Sequence, residues 1–205
     1  MNLNVPTDPH PMTKRTATIE RNTNETQITV QLDLTGGDYL NETGVGFFDH
    51  MLDHVACHGR FGLQINANGD YQIDDHHTVE DVGIALGQAL DQALGDKAGI
   101  ERYGFASVPM DEALARVSVD LSGRSALVLS ADFTADKIGT FDTQLVKEFL
   151  IAFTANGKFN CHVEVPHGEN DHHIAEAIFK ALGRALHQAV RRTGIEGVPS
   201  TKGTL

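Results

Sequence analysis

The sequence predicts an α+β fold made of an internally duplicated sheet-plus-helices unit, and three observations predict it. The pattern D-H-H-x-x-E is written twice, as DHHTVE beginning at Asp75 and as DHHIAE beginning at Asp171. A second matched pair, HGRFGLQI at residues 58–65 and NGKFNCHV at residues 156–163, repeats at a spacing of 98 residues, against 96 between the histidine motifs. In both halves the matched segment follows a short apolar run of helical period and precedes a long one. Two copies of such a unit close as a pseudo-symmetric pair, the second having lost about two residues from its hairpin.

The elements follow in order. Residues 1–12, MNLNVPTDPHPM, carry three prolines and no periodicity and read as a flexible tail. Ile28, Val30, Leu32 and Leu34 alternate with Thr29, Gln31 and Asp33, the period of a strand with one buried face. After a turn-rich loop over residues 35–46, Phe48, Met51, Leu52 and Val55 recur at helical spacing until Gly59 ends the run. Residues 61–67 and 71–74 flank Asn68-Gly69, which predicts a hairpin. Asp75 then caps a long helix whose stripe is Val79, Val82, Leu86, Leu90 and Leu94, ending near Gly95.

In the second half, extended runs around Val117, Val119 and Leu121 and over residues 127–129 are parted by a turn at Ser122-Gly123. A short helix carries Leu145, Val146, Phe149, Leu150 and Phe153, residues 159–165 form a strand, and Ile174, Ile178, Leu182, Leu186 and Val190 mark the second long helix. The expected organisation is one domain, residues 13–205. It comprises pseudo-repeats over about 15–100 and 101–193 and a C-terminal segment, 194–205.

At 205 residues and 40% hydrophobic content the chain supports one sizeable core. A formal charge of -12 with no basic block excludes a general nucleic-acid or membrane-surface binder, so an anionic ligand must be met by local cations. Cys57 and Cys161 lie in apolar surroundings and no signal-peptide-like run precedes them, which points to a reduced, cytoplasmic protein without a disulfide framework.

Eleven histidines are many for this length, and several sit among carboxylates. Residues i and i+4 share a helix face, so His76 with Glu80, and His172 with Glu176, each present an imidazole and a carboxylate together, a set that suits a borderline divalent ion. His77 and His173 are rotated by roughly 100° from their neighbours. One ion cannot easily take both histidines of a pair, which argues for two ions, each drawing one histidine from each motif. The 98-residue spacing carries His50 of FFDHML onto Glu148 of LVKEFL, giving one further candidate ligand per half. Adjacent histidines at a helix start also serve as solvated residues or caps, but repetition in a duplicated frame favours metal. Structural zinc is disfavoured because neither cysteine has a second thiol at zinc spacing. His10, His162, His167 and His187 read as surface or core residues, whereas His54 and His58 either line the site or belong to a polar face.

Taken together, GVGFFDHMLDHVACHG, DDHHTVEDVGIALGQAL, RYG, DEALARVSVDLSGR, FDTQLVKEF, NDHHIAEAIFKALGRAL and PSTKG resemble the imidazoleglycerol-phosphate dehydratase family of histidine biosynthesis, in the family's order from about Arg15 to Gly203. The resemblance implies a fold of the ribosomal protein S5 domain 2-like type, two Mn2+ per active site, and a homo-oligomer of 24 subunits with sites between subunits. It places the metal ligands on His50, His76, His77, Glu80, His172, His173 and Glu176. The eighth ligand falls on Glu148, where some relatives carry histidine. It places substrate contacts on Glu25, His58, Arg102, Arg124, Ser200 and Lys202, and a catalytic set on Glu25 with the histidine and glutamate ligands other than Glu148.

The implied reaction dehydrates imidazole glycerol phosphate to imidazole acetol phosphate. No carbonyl acidifies the substrate chain, so the ring, held as its anion, supplies the electrons that expel the neighbouring hydroxide, and an acid and a base complete the step. Glu25 is a candidate for one role; its other reading is a charged residue opening an edge strand. Arg102, Arg124 and Lys202 suit the phosphate, and the residues 200–203 are expected to order over ligand. Two other readings remain at this stage: a metal-storing shell, which needs no phosphate-binding cations, and a dinuclear hydrolase, which releases inorganic phosphate.

Overall fold

The computed structural model describes residues 15–205; the tail expected over residues 1–12, with His10, lies outside the described residues. The first half runs β1 (Thr16–Asn22), β2 (Gln27–Asp33), β3 (Tyr39–Glu42), α1 (Gly46–Gly59), β4 (Gly62–Asn68) and α2 (His76–Leu94). The second runs β5 (Tyr103–Met110), β6 (Ala113–Asp120), β7 (Ala126–Ser130), a small ribbon of β8 (Lys137–Ile138) and β9 (Phe141–Asp142), then α3 (Leu145–Gly157), β10 (Asn160–His167) and α4 (Asp171–Val190). The sheets have matching orders, β1-β2-β4-β3 and β5-β6-β10-β7. In each the last pair is parallel and the others are antiparallel. The duplication is therefore one of topology as well as sequence, and the β8–β9 ribbon is an insertion in the second copy.

Register follows the alternation read from the sequence. Val30 pairs with Ile65 and Leu32 with Leu63, and all four side chains are buried on the face that receives the helices. Each half's long helix packs on the other half's short helix: α2 on α3, and α4 on α1. Phe149 of α3 meets Phe48 of α1 edge-on at 5.2 Å between ring centroids and stacks on Phe179 of α4 at 5.4 Å; all three are fully buried, so the two halves share one core.

Two local expectations differ from the structure. Residues 71–74 form a turn rather than the return strand of a hairpin, because β2 and β3 already occupy both edges of β4. The Tyr71 hydroxyl instead donates to Thr43 O at 2.6 Å, and Ile73 N donates to Asp70 O at 2.8 Å. Gly69 lacks the positive φ that such a hairpin turn needs; it is small because a Cβ there would collide with Thr78 Oγ1. Asp75 is the residue before α2 but its side chain makes no capping bond; Asp74 Oδ1 accepts from His76 N at 2.8 Å in its place. The runs on either side of Ser122-Gly123 are parted as expected and lie in one sheet with β10 between β6 and β7.

Glycines let the helix pairs touch backbone to backbone. A Cβ on Gly183 of α4 would lie 2.7 Å from Val55 O of α1, and one on Gly87 of α2 would lie 2.7 Å from Phe153 O of α3. Gly87 and Gly183 share the 96-residue spacing, and Val55 and Phe153 the 98-residue one, so one contact is used twice. Helix propensity alone would make Gly→Ala stabilising by about 1 kcal/mol. At Gly183 or Gly87 the added methyl instead forces the pair apart, and Gly183→Ala and Gly87→Ala are each expected to destabilise by about 1–3 kcal/mol in denaturant unfolding. Gly46→Ala, at an exposed helix start with nothing within 4 Å of the new Cβ, is expected to be neutral or stabilising.

Candidate functional site

The crossing of α1 on the start of α4 gathers three imidazoles around one carboxylate. His50, His54 and His58 follow one another at single-turn spacing on α1, and the first two reach Glu176 of α4. His50 Nε2 lies 3.5 Å from Glu176 Oε2, His54 Nε2 lies 3.4 Å from Oε1, and the two ring nitrogens are 3.3 Å apart. His172, one turn before Glu176 on the same helix, places its Nε2 3.2 Å from Oε2. The ligand atoms of His50, His54 and Glu176 all fall within 4.8 Å of one another. Phe47 meets the His172 ring in a T-shaped contact, with ring centroids 5.1 Å apart.

Glu176 is only 7% exposed. Burial pushes its carboxyl up, but the ammonium of Lys180, which donates to Oε1 at 2.5 Å, together with His54 and His50 overrides that and holds it down at about 2. Burial drives His54 down to about 4, against the pull of Glu176, so at neutral pH its ring is uncharged and keeps a free lone pair. Burial, then Lys180 and Arg184, likewise lower His58. Neutral imidazoles beside an ionised carboxylate are the donor set a borderline divalent cation takes, and these residues fit such an ion.

The equivalent place in the other half is looser. His76 Nε2 is 3.9 Å from Glu80 Oε2 with both side chains partly exposed, and Glu148 lies half-buried in the first turn of α3. Among the described residues no hydrogen bond or ion pair joins Glu148 to His76 or Glu80. The second histidine of each motif turns away from its neighbour, with ring planes 86° apart for His76 and His77 and 77° for His172 and His173. His77 Nδ1 is bound by Asp70 Oδ2 at 2.9 Å and His173 Nδ1 by Glu112 Oε2 at 2.7 Å. These bonds raise the proton affinity of both rings, and the one from His173, with the amide of Asn170, holds Glu112 down to about 2. Each leaves Nε2 as the outward lone pair, the arrangement by which carboxylates orient metal-binding imidazoles. Among the described residues no cluster draws on both motifs, so the arrangement expected from sequence, one histidine from each motif per ion, is not made within a single chain.

The substrate-contact candidates fall in three places. Arg102, Arg124, Ser200 and Lys202 line one pocket of about 540 Å³ formed by the start of β5, the turn after β6 and the chain end. Arg102 braces it: Nε and Nη2 donate to Asp120 at 2.7 and 3.2 Å, and Nη1 donates to Pro199 O at 2.8 Å. Gly123, at φ 77°, admits the chain end, since a Cβ there would lie 2.9 Å from Leu205 C. His58 lines a different pocket of about 350 Å³ with Arg184 and His187. Glu25 stands at the tip of the β1–β2 hairpin, its Oε1 4.0 Å from His77 Nε2.

Sequence reasoning left His54 undecided and did not single out Lys180, Asp70 or Glu112. The i+4 steps from His50 to His54 and from Glu176 to Lys180 were available signals. Asp70 and Glu112 gave none, because each meets its histidine only through tertiary structure.

Comparison with known proteins bears directly on this site. A family model described as imidazoleglycerol-phosphate dehydratase matches residues 43–186, which include every candidate metal ligand. The chain is 59% identical over 194 residues to an imidazoleglycerol-phosphate dehydratase of Ruegeria pomeroyi, covering 93% of this chain and 100% of that one, and 58% identical over 196 residues to one of Paracoccus denitrificans with the same coverage. Among solved structures it resembles the Staphylococcus aureus imidazoleglycerol-phosphate dehydratase, with a TM-score of 0.80 and 42% identity over 87% of this chain and 99% of that one. The Pyrococcus furiosus enzyme in complex with (S)-C348 matches with a TM-score of 0.79 and 38% identity over 91% and 100%. The paired helix contacts, the doubled histidine motif and these matches along most of the chain agree, and the chain belongs to the imidazoleglycerol-phosphate dehydratase family.

Proposed function

We propose that this chain dehydrates imidazole glycerol phosphate to imidazole acetol phosphate and water, a step of L-histidine biosynthesis, as a Mn2+-dependent carbon–oxygen hydro-lyase of the cytoplasm. The observation that carries the metal-dependent reading is the convergence of His50, His54 and His172 on the buried carboxylate of Glu176. No helix of the described residues is long and apolar enough to cross a membrane, in keeping with a substrate met in water.

Two ions are assigned to each active site. His50, His172 and Glu176 form one ligand set, and the pseudo-symmetric residues Glu148, His76 and Glu80 form the other. His77 and His173, with Nε2 directed away from their own half's set, complete sites on neighbouring copies, which favours a homo-oligomer, 24 subunits in the resemblance, with sites between subunits. A bound Mn2+ pair supplies electrophilic stabilisation of negative charge on the substrate ring. The chain's own groups do the rest. Arg102, Arg124, Ser200 and Lys202 hold the phosphate, His58 contacts the substrate, and Glu25 moves a proton at the reacting carbons through its carboxylate oxygen. Their three separate places in one chain come together only if subunits combine.

Chelator-stripped protein is expected to lose turnover of imidazole glycerol phosphate and to regain it with Mn2+. Undiminished turnover without metal would contradict the reading, and release of inorganic phosphate in place of the ketone would indicate a hydrolase. Asp70→Asn and Glu112→Gln are each expected to lower Mn2+ affinity by about 10–100-fold by freeing the ring they orient, read as metal content against free Mn2+. The same affinity should fall with acidity. Hydrogen bonds to Asp70 and Glu112 raise the proton affinities of His77 and His173, so protons compete for their Nε2 lone pairs at a higher pH than for an ordinary histidine, while Glu176 stays ionised to about 2. Metal content that does not change across the histidine range would remove His77 and His173 from the ligand set.

A further inference from the structure

The β1–β2 and β5–β6 hairpins are superposable in register: Thr16 pairs with Asp33 as Tyr103 pairs with Asp120, each partner displaced by 87 residues. That displacement carries Glu25 onto Glu112, Thr26 onto Ala113 and Arg21 onto Val108, and the 96-residue displacement of the long helices carries Asp81 onto Ala177. The two hairpin glutamates are therefore equivalents with different surroundings.

In the second half the hairpin is fastened by its own glutamate. Glu112 binds His173 Nδ1 at 2.7 Å and accepts the amides of Asn170 and Glu169 at 2.9 and 3.2 Å, while the positions of Thr26 and Asp81 are taken by Ala113 and Ala177, both buried. In the first half Asp70 takes over the binding of His77 Nδ1, which releases Glu25 from that task. The hairpin is fastened from below instead. Thr26 is 1% exposed and donates its hydroxyl to Asp81 Oδ2 at 2.5 Å, and Arg21 Nη2 of β1 donates to Asp81 Oδ1 at 2.7 Å. Thr23 Oγ1 then accepts the amides of Glu25 and Thr26 at 3.1 and 2.9 Å, so the tip that carries Glu25 is tied through Thr26 to α2. The Glu25 carboxylate is left without a hydrogen bond among the described residues, 4.0 Å from His77 Nε2.

We infer that Thr26 and Asp81, with Arg21, form a clamp whose task is to position Glu25 for proton transfer while keeping its carboxylate free. They are positioning residues, absent from the second half because Glu112 does no such chemistry. The inference rests on the reading of Glu25 as a proton-transfer group. A buried hydroxyl bonded to a carboxylate fixes the tip more narrowly than apolar packing does, and misplacement of a reacting group by about 1 Å can cost about 100-fold in rate.

The test is a double-mutant cycle in the full Mn2+-loaded enzyme, with Tm and native size measured throughout. T26V, which keeps shape and loses the hydroxyl, is expected to lower kcat by about 10–100-fold with KM and Mn2+ content little changed, and T26S is expected to restore it. In the E25Q background, T26V should cost nothing further. If T26V slows E25Q by the same factor as it slows the parent, the clamp does not act through Glu25 and the inference is overturned, while the low rate of E25Q still upholds the role of Glu25. If E25Q retains full kcat, the reading of Glu25 fails and takes the clamp with it. Should T26V not assemble, D81N enters the same cycle and the same outcomes decide.

Discussion

The arrangement depends on one buried carboxylate. An ionised Glu176 inside the protein is costly unless it is paired, and the structure pairs it with the Lys180 ammonium and surrounds it with the imidazoles of His50, His54 and His172. Those groups come from two helices at opposite ends of the chain. They meet only because Gly183 lets α4 lie against the backbone of α1 at Val55 and Gly59. Packing and site chemistry are thus the same fact: the contact that closes the core between the halves also brings the ligand atoms to one point.

Duplication supplies each part twice, and divergence gives the copies different work. The Glu176 cluster is buried and braced by a lysine, whereas its counterpart of His76, Glu80 and Glu148 is open. The hairpin glutamates split in the same way, Glu112 holding a histidine ring and Glu25 standing free on a clamped turn. In each half a carboxylate fixes the tautomer of an outward-facing histidine, but the first half recruits Asp70 for it. The proposed assembly of sites from unlike halves of different copies would use this asymmetry, with one ring and one free carboxylate at each.

Features that depend on neighbours in the chain were legible in the sequence. Phe48, Met51, Leu52 and Val55 marked α1, the repeated stripes marked α2 and α4, and the i+4 spacing paired His172 with Glu176 before any coordinates. Features that depend on distant partners were not. Asn68-Gly69 read as a hairpin because nothing local reveals that β2 and β3 fill both edges of β4. β3 was missed because it is an edge strand whose Tyr39 and Leu40 are exposed, which leaves no alternation to see. The bond from Thr26 to Asp81 spans 55 residues, and only the superposition of the two hairpins shows that it stands where the second half has two buried alanines. The motif resemblance implied a set of candidate ligands, but it took the fold to show that His50, His172 and Glu176 meet in one chain while His77 and His173 face elsewhere.

The most direct measurement is a crystal structure of the Mn2+-loaded assembly with anomalous data at the manganese edge. The account requires one peak per chain among His50, His172 and Glu176 and a second beside Glu148, His76 and Glu80, each also bonded to a His77 or His173 ring from a neighbouring subunit. Density for manganese elsewhere, with the Glu176 cluster empty, would contradict it.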